Sequence, residues 1–238
     1  MIIWCLVPML ILYFSASLCY LSLFLRGRKG LHAAAAVLTG FGALLHAVYL
    51  GFLYAQNQLS PLAVLSLGIV LLFFGLTRLK PWQGLGSLFL PPALILFIFS
   101  LSERIAFTGL ITVHILLAVA TLVLLIGNLV LGLSFWIQGW SLKQKKWEAL
   151  SWRLPPLLLN EKWASLFLRL GFVFLTLVLI SGAFLRLEVT PAHILLALAA
   201  WGFYGWMVPK RAGTLSGRKM VLLSGLGFVS LWIAYLWN

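Results

Sequence analysis

The sequence predicts an all-α, polytopic integral membrane protein of about eight transmembrane helices, with both termini extracytoplasmic and residues 1–238 forming a single helical domain. Three observations predict it. Hydrophobic residues make up 63% of the 238 positions and charged residues only 9%, and the mean hydropathy is +1.10, whereas about a quarter of a soluble domain is charged. The apolar residues fall into runs near the length that crosses a bilayer, about 20 residues at 1.5 Å each. The basic residues, which set a formal charge of +13, collect in alternate loops.

The first run, Ile2 to Leu25, has no basic leader, exceeds a signal peptide's apolar stretch and ends at Arg26, Arg28 and Lys29. It reads as a retained helix. Cys5 and Cys19 form no CxxC, haem-attachment or acylation motif and read as buried small hydrophobes. The second run spans Leu31 to Tyr54, and the short third and fourth span Pro61 to Leu76 and Leu85 to Phe99. The fifth covers Thr108 to Ile137, the sixth Trp163 to Leu185, the seventh Pro191 to Val208 and the eighth Met220 to Trp237. Residues 140–163 read as a cytoplasmic interfacial loop, either an amphipathic piece or an anchored linker, with Trp140, Trp147, Trp152 and Trp163 among its charges.

Lys and Arg in short loops mark the cytoplasmic side. Arg26, Arg28 and Lys29 follow the first run, Arg78 and Lys80 the third, Lys143, Lys145, Lys146, Arg153 and Lys162 the fifth, and Lys210, Arg211, Arg218 and Lys219 the seventh, which is 14 of 17 basic residues. The even-numbered loops hold only Arg104 and Arg186, each near a glutamate. This placement accounts for the positive charge without a nucleic-acid partner, and anionic membrane lipid is the expected contact of the basic loops. The chain is expected to be integral to the cell (inner) membrane of a bacterium.

Chemistry is limited by what is missing. There is no aspartate, and the four glutamates, Glu103, Glu148, Glu161 and Glu188, lie in loops or at helix ends. A Ser-His-Asp triad and a buried carboxylate relay are excluded, and an ion-coupled transporter is disfavoured. The chain does not read as an enzyme in its own right. Histidine remains: His46 in the second run and His114 in the fifth lie about 9 to 14 Å deep from the outer end, where imidazole needs a partner or a function. His32, Thr39 and His46 recur every seven residues, as do His114, Thr121 and Asn128, so each trio lines one helix face. If the two antiparallel stripes face each other, His46 meets His114, Thr39 meets Thr121, and His32 comes level with Asn128. Two neutral imidazoles across an apolar cleft suit axial ligation of haem iron; the alternative is helix packing through hydrogen bonds. His193, at the mouth of the seventh run, contacts a porphyrin propionate or sits at the interface. His32 reads as a solvated interfacial residue, and Arg169 snorkels or pairs with a propionate or helix end.

The segments "GALLHAVYL", "LITVHILLAVATLVLLIGNLVLGLSFWIQ", "PPLLLNEKWASLFLRLGFVFLTLVLISGAFL" and "HILLALAAWGFYGWM", followed by "SGRKMVLLSGLGFVSLWIAYL", resemble the HemX/YpjD-like branch of the cytochrome c assembly membrane proteins. The resemblance is carried most specifically by Pro155, Pro156 and Glu161, then Gly171, Leu175, Thr176 and Gly182, then Ala200 and Trp201, then Gly217 and Arg218. It implies a haem-handling membrane protein whose intramembrane histidines are His46 and His114, with cytochrome c or haem biosynthesis proteins as partners. Relatives that deliver haem carry an external tryptophan-rich loop with an aspartate, which this chain lacks. The resemblance therefore implies haem homeostasis as much as cytochrome c biogenesis. Trp201 and Trp206 fall in the cytoplasmic half of the seventh run, with Trp206 expected as an interfacial anchor and Trp201 expected to pack on Gly202 and Gly205. The other functions the sequence leaves open are a non-catalytic scaffold and a small-solute transporter.

Overall fold

In a bilayer every backbone N–H and C=O must be paired within the chain, so apolar runs of this length become helices. The computed structural model describes residues 2–26, 30–77, 82–102, 109–144, 154–185, 190–209 and 217–236. Among these residues there are eight α-helices: α1 (Ile2–Arg26), α2 (Leu31–Ala55), α3 (Pro61–Thr77), α4 (Gly86–Phe99), α5 (Gly109–Gln144), α6 (Leu157–Leu185), α7 (Pro191–Met207) and α8 (Gly217–Leu236). Short 3-10 turns, Trp82–Leu85 and Ser100–Ser102, flank α4.

Among the described residues five stretches are long and apolar enough to cross a membrane: Cys5–Arg26, Leu31–Ala55, Gly109–Lys143, Leu157–Leu185 and Arg218–Tyr235. The protein is thus a helical membrane protein. With 17, 14 and 17 residues, α3, α4 and α7 reach about 21 to 26 Å, less than the ~30 Å hydrocarbon core. Large apolar side chains point outward, among them Phe41, Leu195 and Phe184, the last 84% exposed, as lipid rather than water demands.

One sequence expectation changes. The expected 140–163 loop is helical at both ends, because α5 continues to Gln144 and α6 begins at Leu157. Its middle, with Trp147 and Trp152, lies outside the described residues, as do Arg28, Lys29, Arg78, Lys80, Glu103, Arg104, Lys145, Lys146, Glu148, Arg153, Arg186, Glu188, Lys210 and Arg211.

The chain divides into two compact units. Met1–Thr108 with Gln144–Pro155 form the first, where tyrosines on α1 seat on glycines. Tyr13 lies over Gly42 so closely that a Cβ there would be 2.8 Å from its ring, and Tyr20 covers Gly86. Tyr20 also meets Phe73 edge-on at 5.2 Å, and Phe73 stacks on Phe89 at 5.8 Å. Ser66 Oγ donates to the Ala93 carbonyl at 2.7 Å, pinning α3 to α4.

Gly109–Lys143 with Pro156–Asn238 form the second unit, an antiparallel ring of four helices. Asn128 Nδ2 donates to Ala164 O at 2.8 Å and Asn160 Nδ2 to Ser134 Oγ at 3.0 Å, setting the α5–α6 register. Trp201 Nε1 donates to Thr176 Oγ1 at 3.1 Å between α7 and α6. Tyr204 Oη donates to Ser224 O at 3.0 Å, and Ser224 Oγ to Asn128 Oδ1 at 2.7 Å, closing the ring through α8. Leu125, Leu168, Leu175, Tyr204 and Met207 fill its centre.

Candidate functional site

One end of the second unit gathers two histidines. His114, on the first turns of α5, is half-buried, and its Nδ1 lies 2.8 Å from Ser181 Oγ on α6. Ser181 already donates its hydroxyl proton to the Val178 carbonyl at 3.0 Å. Its oxygen therefore accepts from His114 Nδ1–H, and the tautomer assigned from this network leaves Nε2 with its lone pair. Gly182 gives the ring room: a Cβ there would be 3.3 Å from His114 Cε1.

His193 arrives from α7. Thr190 caps that helix, its hydroxyl accepting from the His193 backbone N–H at 3.3 Å, and Pro191 supplies a first helical position that needs no donor. His193 Nδ1 lies 2.9 Å from the Ala234 carbonyl on α8. A carbonyl only accepts, so Nδ1 carries a proton, and in the neutral ring the lone pair is then on Nε2. The two imidazoles are close enough to act on each other electrostatically. A histidine tethered through Nδ1–H to a hydroxyl or carbonyl is the usual form of a metal-ligating imidazole.

His46 belongs to the first unit and is fully buried. Its Nδ1 is 3.3 Å from Tyr13 Oη, and Phe97 and Tyr13 meet its ring edge-on at 4.7 and 5.9 Å. Nε2 has no hydrogen-bond partner, although the Ala63 backbone interacts electrostatically with the ring. His46 and His114, expected to pair, belong to different units.

The rest of each polar stripe finds partners close by. Thr39 and Thr121 donate to the carbonyls one turn back, Ala35 and Leu117, at 2.7 and 2.8 Å. Asn128 is engaged through both its amide nitrogen and its oxygen. His32 is half-buried against Tyr20 at 6.5 Å rather than simply solvated. Arg169 is exposed, as a snorkelling side chain is. Trp201 packs on Phe172 at 5.5 Å and bonds Thr176, not Gly202, which faces open space; Gly205 instead takes the Phe172 ring edge. Cys5 and Cys19 are free and half-buried, less enclosed than expected.

Sequence reasoning missed Ser181 and the Ala234 carbonyl. A lone serine or a backbone oxygen carries no periodic signal.

No family model, curated protein or solved structure matches the chain. Each ring at this end of the second unit is tethered at Nδ1 and half-buried, and imidazole is a donor type that haem iron takes.

Proposed function

We propose that the protein handles haem within a bacterial inner membrane, binding or passing it through intramembrane histidines in cytochrome c biogenesis or haem homeostasis, without catalysis of its own. Its topology in this reading is eight spans with both termini extracytoplasmic, the short α3, α4 and α7 crossing with the bilayer thinned around them. The observation that carries the reading is the Nδ1 tethering of His114 by Ser181 and of His193 by Ala234, which leaves a lone pair on each Nε2.

In this proposal His114 and His193 hold the iron. Bound haem would supply a redox-active iron that imidazole nitrogens would hold. Ser181 and the Ala234 carbonyl keep both rings in the ligating tautomer, Gly182 lets the His114 ring lie against α6, and Thr190 fixes the first turn that presents His193. A second reading takes His46 as a ligand, and the unpartnered buried Nε2 favours it. Against it stand the Ala63 backbone beside the ring and the tight aromatic packing, which suit an imidazole that joins helices.

Haemin titration of the full chain in lipid nanodiscs separates these readings. His114→Ala should abolish saturable binding, His193→Ala should convert a low-spin spectrum to high-spin, and His46→Ala should leave both unchanged. Loss with His46→Ala and retention with His193→Ala would move the second ligand to the first unit. Binding indifferent to all three leaves the histidines as packing residues of a scaffold.

A further inference from the structure

At the other end of the second unit, α5 and α8 are in contact where a Cβ on Gly132 would meet Val221 Cγ2 at 3.5 Å. One turn further along α5 is an open-sided groove of about 410 Å³, lined by Trp136 and Trp140 from α5 and by Arg218, Val221 and Leu222 from α8. The spacings i, i+4 and i, i+3, i+4 put each set on one helix face. From His114 to Trp136 along α5 is about 33 Å at 1.5 Å per residue, so the groove lies at the opposite end of the unit from the histidines.

Its lining is mostly apolar, with Arg218 the one charged residue on it. Trp136 and Trp140 are 42% and 47% exposed, and indoles so placed sit at headgroup level. Val221 and Leu222 continue toward the hydrocarbon, and Arg218 is exposed at the polar end. Among the described residues this end of the unit carries Lys143, Lys162, Arg218 and Lys219 against the single carboxylate of Glu161. A guanidinium matches a phosphate bidentately, and the surplus of cations favours a headgroup with net negative charge.

We propose that this groove binds one anionic phospholipid, its phosphate on Arg218, its headgroup between the two indoles and an acyl chain along Val221 and Leu222. The site is independent of haem binding.

Native mass spectrometry of the full chain, released from micelles holding equimolar phosphatidylglycerol and phosphatidylcholine, tests it. The wild type should retain one phosphatidylglycerol with about fivefold preference, the factor expected for one basic residue near an anionic headgroup. Arg218→Gln should erase the preference at an unchanged unfolding midpoint. Arg26→Gln, an exposed arginine of the other unit, should keep it. Trp136→Leu combined with Trp140→Leu should lower retention of both lipids. No preference in the wild type, or an equal loss with Arg26→Gln and Arg218→Gln, overturns the site in favour of diffuse charge attraction, and unchanged retention in the double tryptophan variant overturns the groove as its location.

Discussion

Which nitrogen of an imidazole carries its proton is decided by the atom at the other end of the hydrogen bond, and here that atom is Ser181 Oγ for His114 and Ala234 O for His193. Ser181→Ala removes one such anchor without touching a ligand. Haemin affinity should fall by about 10 to 100-fold, the usual effect of losing a partner that orients a ligand, and Ser181→Thr should restore most of it. Titration monitored at the Soret band reads both. Tyr13 plays a different part, as the hydrogen-bond partner that ties buried His46 to α1. Tyr13→Phe should cost about 1 kcal/mol of stability in detergent and leave haemin affinity unchanged; a loss of affinity would make His46 a ligand. The recurrence of histidine, threonine and asparagine every seven residues marks the faces of α2 and α5, and Thr39, His46, Thr121 and Asn128 are indeed buried or nearly so. Periodicity identifies a face but not its partner. Threonine satisfies itself on its own helix, and the serines that hold His114 and Asn128 follow no pattern that could announce them.

At the scale of elements, close approach depends on a few glycines. Tyr204 rests on Gly227 so that a Cβ there would lie 2.8 Å from its ring, and the same tyrosine bonds Ser224 O. Gly227→Val should force these helices apart and cost about 1–3 kcal/mol, whereas Gly202→Ala, with nothing within 4 Å, should be neutral or slightly stabilising. Thermal unfolding in one detergent compares the two, and equal losses would contradict the tyrosine-on-glycine packing of α7 and α8. Hydropathy located the eight described α-helices, most of whose runs end near charge, proline or glycine. It misplaced the end of α5 and the start of α6, where polar residues continue a helix beyond the apolar stretch: α5 has 36 residues, about 54 Å, more than the hydrocarbon requires. Tyr13 and Tyr20, seven residues apart on α1, mark its packing face through their partners Gly42 and Gly86, which the sequence alone does not single out.

For the whole molecule, the charge alternation from which the orientation is read resides largely in loops; of the described cations, Arg26, Lys143, Lys162, Arg218 and Lys219 sit at or near helix ends and Arg169 lies within α6. In a background with Cys5 and Cys19 replaced by alanine, a cysteine at position 143 should react with a membrane-impermeant maleimide only after cell lysis, and one at position 57 in intact cells. The reverse pattern would invert the orientation and place the histidine end of the second unit on the cytoplasmic side. The central claim is that this end holds haem through His114 and His193. It is tested most directly by the reduced and oxidised absorption spectra of the protein purified from membranes of haem-replete cells, with each histidine variant purified in parallel. The account predicts a low-spin bis-histidine spectrum in the wild type, retained in His46→Ala, turned high-spin or lost in His114→Ala and in His193→Ala. A wild type that carries no haem, or a low-spin spectrum that survives removal of both His114 and His193, would contradict it.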